Sequence, residues 1–241
     1  ASTSQLLKST LEEKLSLSVS DASNDRAFIR VKQESDLAKE AYRLTVTKEG
    51  ACVYYSTETG LLWGIQTLRQ ALEQANFFTS GSAKYLPMVD IKDAPKYGWR
   101  GFHIDVVRNM FAVDYLKKVI DCLSFYKINK LHLHLTDDQG WRIEVKKYPL
   151  LTQEGSWRDF DEYDKRCVEL SQQDYNYEID PRFVRNGSQY GGHYTQEEMK
   201  GLVSYALERG IDIVPEIDMP GHFSAAIKVY PELSCTGEAG W

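Results

Sequence analysis

Cysteine is scarce in this 241-residue chain, and the four present, Cys52, Cys122, Cys167 and Cys235, never form a CxxC pair. That excludes a zinc-ribbon or thioredoxin-type motif, and the scatter does not suit a disulfide scaffold, so the redox compartment stays open. No apolar run reaches the roughly 18 residues of a membrane-spanning helix. Runs of Lys and Arg are also missing and the formal charge is −6, so neither a nucleic acid nor a membrane is an expected partner. The opening ASTSQLL has no Met and no signal pattern, and reads as a mature or trimmed end. The single sequon, Asn186-Gly187-Ser188, is read as a chance match.

Aromatic residues are plentiful: 12% of the chain, with 15 Tyr and 5 Trp. They suit large cores or flat sugar-facing surfaces. Two regions are expected, a small α+β domain over residues 1–94 and a β/α region over 95–241. In the first, YRLTVTKEGACVYYS alternates, breaks at Glu49-Gly50 and resumes, which predicts a hairpin. Leu61, Ile65, Leu68 and Leu72 then recur at helical spacing. GSAKYLPMVDIKDAPKY reads as an extended linker punctuated by Pro87 and Pro95.

The second region alternates strand and helix. WRGFHIDVVR predicts a short buried strand. Leu116, Val119, Ile120 and Leu123 predict a helix with Asp114 as its N-cap. KLHLHLTDD predicts the next strand, and a polar, tyrosine-rich loop is expected from Arg158 to Gly192. Thr195 and Glu198 form a capping box ahead of Met199, Leu202, Val203 and Ala206, and Gly210 closes that helix. IDIVPEIDMPGH predicts a third strand. This order implies a parallel sheet, either doubly wound or part of a (β/α)8 barrel. Polar groups gather at three strand ends, first Arg108, then Asp137 and Asp138, then Glu216, Asp218 and His222, and that favours the barrel.

Strand parity puts His132, His134, Thr136 and Asp138 on one face, and the leucines with Asp137 on the other. A bulge at Thr136 would reverse which aspartate reaches the rim, so parity leaves Asp137 and Asp138 both open. Parity also groups Asp212, Val214, Glu216 and Asp218. Acids so placed need cationic partners, and Arg108, His132, His134 and His222 are the candidates. His132 and His134 with Asp137 also allow a metal-dependent hydrolase, but hydrogen-bonded histidines are the plainer reading. Glu197 and Glu198 read as an exposed helix start. For Trp141 and Trp157, sugar stacking and rim packing are both open.

Four stretches, GLLWGIQTLRQ, WRGFHIDVVRNMF, NKLHLHLTDDQGWRIEVKKYPLLTQEGSWR and GGHYTQEEMKGLVSYALERGIDIVPEIDMPGH, resemble glycoside hydrolase family 20, the β-N-acetylhexosaminidases. The resemblance runs from about Tyr42 onward. It implies an α/β fold: the first three strands of a (β/α)8 TIM barrel, preceded by a small α+β domain. It implies removal of terminal N-acetylhexosamine from a β-linked oligosaccharide or glycoconjugate, with no cofactor and no metal. The substrate's own acetamido oxygen is the family's nucleophile, and an Asp-Glu pair after the fourth strand positions it and supplies the general acid. By the same resemblance, Arg108 binds sugar hydroxyls and Asp137 with His222 forms the network beside the acid. Glu216, Asp218 and His134 are outer members of that network. A Gly-Gly-Asp-Glu motif is absent from the 241 residues; Asp161-Glu162 lacks flanking glycines. The expectation is therefore a chain inactive alone, completed by the C-terminal remainder of the barrel on the same or a second chain. A non-catalytic carbohydrate-binding or structural fragment is the alternative.

Overall fold

The computed structural model describes residues 3–9, 11–12, 27–75 and 86–239. It divides into two compact units. One comprises Ala1–Gly101, Val119–Lys130 and Tyr205–Asp212; the other comprises Phe102–Lys118, Leu131–Ser204 and Ile213–Trp241.

The first unit begins with helix α1 (Thr3–Ser9) and strands β1 (Ile29–Gln33), β2 (Tyr42–Thr47) and β3 (Gly50–Tyr55). Helix α2 (Glu58–Ala75) and strand β4 (Val89–Asp93) follow. The sheet order is β1-β3-β2-β4. β2 and β3 form the expected hairpin, with Thr47 opposite Gly50 and Lys48-Glu49 as its loop. Gly50 has φ +120°, and a Cβ there would meet the Phe28 carbonyl oxygen at 2.2 Å, so no other residue fits this turn. Leu61, Ile65, Leu68 and Leu72 of α2 are all buried, together with Tyr42, Leu44, Val53 and Trp63. The expected linker is partly a strand, because Val89–Asp93 pairs antiparallel with β2 as β4. Edge pairing satisfies its backbone despite the flanking prolines. Residues 81–85 of that stretch lie outside the described residues.

Glu40 ties this unit together. Its Oε2 accepts from Arg100 Nη2 at 2.7 Å and from Trp63 Nε1 at 2.9 Å. Burial raises the Glu40 carboxyl pKa, but those two donors outweigh it and hold the group below its ordinary value of 4.5. A lowered folded pKa means the stabilisation is present above the unfolded value and lost as pH falls through the folded one. Glu40→Gln is therefore expected to cost about 1–2 kcal/mol at neutral pH. Urea midpoints of the two proteins should converge below pH 4.5. A gap independent of pH would remove the ion pair from the account.

The remaining strands and helices begin with β5 (Gly101–Asp105), α3 (Val113–Phe125) and β6 (Lys130–His134). Two short strands, β7 (Thr136–Asp137) and β8 (Gly140–Trp141), form a tight hairpin. Next come α4 (Leu150–Gln153), β9 (Trp157–Asp159), α5 (Glu162–Ser171), β10 (Val184–Arg185) and β11 (Gln189–Gly191). The chain then runs through α6 (Gln196–Leu207), β12 (Asp212–Glu216) and α7 (Ser224–Val229). β5, β6 and β12 form one sheet in the order β12-β6-β5. Asn129 N–H donates to Arg100 O at one end and Val106 N–H to His134 O at the other, so β5 and β6 run the same way. Asp212 N–H to Asn129 O and Leu135 N–H to Glu216 O set β12 parallel as well.

The local signals hold in most places. Thr195 and Glu198 make the capping box, with Thr195 N–H to Glu198 Oε2 at 2.8 Å and Glu198 N–H to Thr195 Oγ1 at 3.1 Å. Gly210, at φ +72°, ends the helix. Four expectations need correction. Asp114 lies inside the first turn of α3 rather than at its cap. Val203 is exposed while Met199, Leu202 and Ala206 are buried, so the apolar stripe is narrower than predicted. β5 is an edge strand rather than a buried one, and Phe102 is half-exposed. The stretch from Arg158 to Gly192 is not a loop: β10, β11 and β9 form an antiparallel sheet, and α5 starts on an Asp161–Asp164 capping box. Its polar composition hid this structure because short strands joined by turns carry little apolar periodicity.

Candidate active site

The polar groups of the second unit gather where the three parallel strands end. Asp105 closes β5 and Arg108 follows in the next turn. His134 closes β6, and Asp137 sits on β7. Glu216 closes β12, with Asp218 and His222 just beyond. Leu131, Leu133 and Leu135 are fully buried, and His132 keeps a partly exposed side chain.

Asp137 is the centre. Its side chain is fully buried, forms an ion pair with Arg108 Nη2 at 2.5 Å, and hydrogen-bonds His134 Nε2 at 2.7 Å and His222 Nδ1 at 3.0 Å. It also accepts from the backbone N–H of Asp138 at 2.7 Å. The parity rule, which grouped Asp138 with His134, fails here because the strand breaks at Leu135 and restarts as the β7–β8 hairpin. Asp138 is half-exposed and accepts from Ser224 N–H at 3.1 Å, at the first residue of α7.

His134 lies between two carboxylates. Its Nε2 faces Asp137, and its Nδ1 faces Glu216 Oε1 at 2.6 Å. Each carboxylate is an acceptor, so both ring nitrogens must donate and the ring is an imidazolium. Burial depresses the His134 pKa, yet the hydrogen bonds to Asp137 and Glu216 outweigh it and the net shift is upward. Glu216 is the converse. Burial raises it, and the His134 hydrogen bond and charge, with His132, bring it below its ordinary value. The Asp218 carboxylate lies 3.9 Å from His134 Nδ1, and its backbone N–H donates to Thr136 Oγ1. His222 has φ +53°, an uncommon backbone state in which His is one of the better tolerated residues.

Sequence reading missed Asp105 and His103. Asp105 pairs with Arg108 Nη1 at 2.6 Å and also accepts from the N–H groups of Val107 and Arg108. Burial raises its pKa, but Arg108 and those N–H groups bring the net value down. Its place at the end of GFHID was the available signal, the same one that drew attention to Asp137. His103 stacks edge-on against His132, ring centroids 4.6 Å apart.

The aromatic candidates resolve differently. Trp141 is buried against Leu151 and Ala226, and its Nε1 donates to Ile143 O at 2.7 Å, so it is a packing residue. Trp157 lies under the Arg185 guanidinium, 4.9 Å from the ring centroid. Tyr190 is buried and its hydroxyl accepts from Met110 N–H, while Tyr163, Tyr175 and Tyr177 are exposed. Among the described residues, two groups offer metal-compatible atoms: His103, His134 and Glu216, and Asp137, Asp138 and His222.

The chain is similar to known proteins throughout. It is 39% identical to a beta-hexosaminidase of Porphyromonas gingivalis over 219 residues, which are 89% of this chain and 25% of that protein. It is 40% identical to a beta-hexosaminidase of Akkermansia muciniphila over 199 residues, 83% of this chain and 35% of the relative. The chain thus spans roughly a quarter to a third of the length of these curated relatives. Among solved structures, the Streptomyces plicatus N-acetyl-beta-hexosaminidase in complex with Thio-NAglucal superposes with a TM-score of 0.80 at 33% identity. That match covers 99% of this chain and 43% of the other. A Vibrio harveyi exo beta-N-acetylglucosaminidase in complex with N-acetylglucosamine gives 0.76 at 34% identity, over 96% of this chain and 33% of the other. Residues 1–94 match the model for glycosyl hydrolase family 20, domain 2, and residues 97–240 match the family's catalytic domain. With an α/β fold and an ion network at the parallel strand ends, the chain belongs to glycosyl hydrolase family 20.

Proposed function

We propose that residues 95–241 form the first three strands of a (β/α)8 barrel and residues 1–94 the small α+β domain ahead of it. The polypeptide that carries them removes terminal β-linked N-acetylhexosamine by substrate-assisted, retaining hydrolysis. The observation that carries this is the convergence of Arg108, His134 and His222 on buried Asp137 at the carboxyl end of a parallel sheet, where barrel enzymes build their sites. Relatives solved with N-acetylglucosamine support the substrate class.

In this reading Asp137 fixes the His222 ring through Nδ1, and the remaining nitrogen, Nε2, addresses the general acid. That imidazole tunes the proton the acid donates. His134, placed between Glu216 and Asp137, holds the Asp137 carboxylate in position, and Asp218 lies at the edge of the network. Arg108, already paired with Asp105 and Asp137, presents its partly exposed guanidinium to sugar hydroxyls. The acid–orienter pair is the part these 241 residues do not carry, since no Gly-Gly-Asp-Glu motif occurs in them. Purified residues 1–241 are expected to leave a chromogenic N-acetylglucosaminide intact, and a polypeptide extended through such a motif is expected to hydrolyse it. Turnover by the 241 residues alone overturns the assignment of roles. An extended polypeptide without the motif that binds the sugar and does not cleave it would favour a carbohydrate-binding role.

A further inference from the structure

We propose that Tyr190 is a positioning residue for Arg108, through which the β9–β11 sheet holds the turn that carries the arginine; this rests on Arg108 being the group that binds sugar hydroxyls. Side chains hold the turn on both sides of Arg108. Before it, the Asp105 carboxylate accepts from the N–H groups of Val107 and Arg108, and Arg142 Nη2 donates to Val107 O at 2.6 Å. After it, Met110 N–H donates to the Tyr190 hydroxyl at 2.8 Å, and the Tyr194 hydroxyl donates to Phe111 O at 2.6 Å. The guanidinium is fixed separately, by Asp105 at Nη1 and Asp137 at Nη2. Those ion pairs keep their geometry only while the backbone of Arg108 stays in place, and a shift of the turn moves the donors that face the sugar.

Tyr190 is built to be a fixed point. It is buried on β11, opposite Arg158 of β9. The Arg158 guanidinium lies 5.0 Å from the Tyr190 ring centroid and pairs with buried Asp164, which belongs to the capping box of α5. The Phe183 ring packs edge-on against Tyr190, centroids 6.5 Å apart. Burial raises the phenol pKa above its ordinary value of 10, so the hydroxyl stays neutral at physiological pH. Sheet and helix thus place the hydroxyl, and the hydroxyl places Met110, itself buried. Arg142 and Tyr194 are fully buried, and Arg142 also holds the carbonyls of Ser156 and Gly192, so their loss would be read through folding. Tyr190→Phe removes one oxygen and keeps the ring. The buried Met110 N–H then lacks its acceptor, and the turn must move to find another.

The test is steady-state kinetics on a chromogenic N-acetylglucosaminide, with the polypeptide extended through a Gly-Gly-Asp-Glu motif. Contacts to sugar hydroxyls are made in the ground state and the transition state alike, so a displaced arginine shows in KM. Tyr190→Phe is expected to raise KM about five- to tenfold with kcat within about threefold of wild type. Arg108→Lys should raise KM at least as much, and the double variant no further than Arg108→Lys alone, because Tyr190 acts through Arg108. Tyr163→Phe, on an exposed side chain of α5, should leave both constants unchanged. Amide exchange in the same polypeptide gives a readout independent of hydrolysis: Met110 should exchange at least about tenfold faster in Tyr190→Phe. Wild-type KM or unchanged Met110 exchange in Tyr190→Phe, with Arg108→Lys impaired, overturns the proposal and leaves the role of Arg108 standing. Additive losses in the double variant also overturn it, since Tyr190 would then act on the fold at large. Wild-type KM in Arg108→Lys overturns the role of Arg108 itself, and the proposal with it.

Discussion

Asp137→Ala is expected to destabilise the protein by about 2–3 kcal/mol, the cost of removing the shared acceptor of a buried hydrogen-bond network. Three cationic or cation-capable groups point at one fully buried carboxylate. Arg108 retains Asp105 after the change, and His134 retains Glu216. His222 and the Asp138 N–H lose their acceptor outright. Asp137→Asn is the informative companion. Its amide oxygen can still accept from Asp138 N–H, but its NH2 opposes the donors of Arg108 and His134. Relief comes if His134 gives up the Nε2 proton and becomes neutral, keeping Nδ1–H on Glu216. The asparagine variant should therefore cost about half as much as alanine, and the His134 pKa should fall toward or below its ordinary value. Urea denaturation gives the first quantity and imidazole NMR titration the second. An alanine variant within about 1 kcal/mol of wild type, or an unmoved His134 titration in the asparagine variant, would show that the network contributes little.

Where local chemistry decides an element, the sequence was readable. The β2–β3 turn follows from Glu49-Gly50 and the α6 start from Thr195 and Glu198, because each motif satisfies its own backbone within a few residues. The clustering of acids at strand ends was readable too, since charge at the end of an apolar strand needs a reason. The choice between Asp137 and Asp138 was not readable from strand parity, and only the family resemblance picked Asp137. It depends on a break at Leu135 that no pattern of period two contains. β4 was hidden because its pairing partner is β2, more than 40 residues earlier. The β9–β11 sheet was hidden by its polarity and its two- and three-residue strands. Arg142 was the largest omission. It sits in GWRIEV as one more charged residue after a turn, and nothing in its neighbours announces that it is buried.

Arg142→Ala is expected to cost about 3–5 kcal/mol, and the reason differs from that for Asp137. Arg142 is fully buried, and among the described residues its hydrogen-bond partners are backbone carbonyls. Its Nη1 donates to Ser156 O at 2.5 Å and Gly192 O at 3.0 Å, and its Nη2 donates to Val107 O at 2.6 Å. Those carbonyls come from three segments: the turn after β5, the entry to β9 and the exit from β11. Burial pulls the guanidinium pKa down to about 10, which still leaves it charged at neutral pH. Charge-assisted bonds to three buried carbonyls must outweigh the desolvation of that cation for the site to exist. Removing the side chain strands the carbonyls at about 1–3 kcal/mol each, partly offset by the desolvation no longer incurred. Lysine keeps the charge but has one donor centre in place of a planar fork, so Arg142→Lys should recover less than half of the loss. The effect should also be local. Val107 precedes Arg108, so freeing its carbonyl loosens the turn that delivers Arg108 to Asp105 and Asp137. Amide hydrogen exchange in the alanine variant should therefore quicken at Val107 and Arg108, whose N–H groups donate to Asp105, and at Gly192, whose N–H donates to Ser156 O. Unchanged exchange there, with stability within about 1 kcal/mol of wild type, would mean that the three carbonyls find other donors and that Arg142 does not hold the turn.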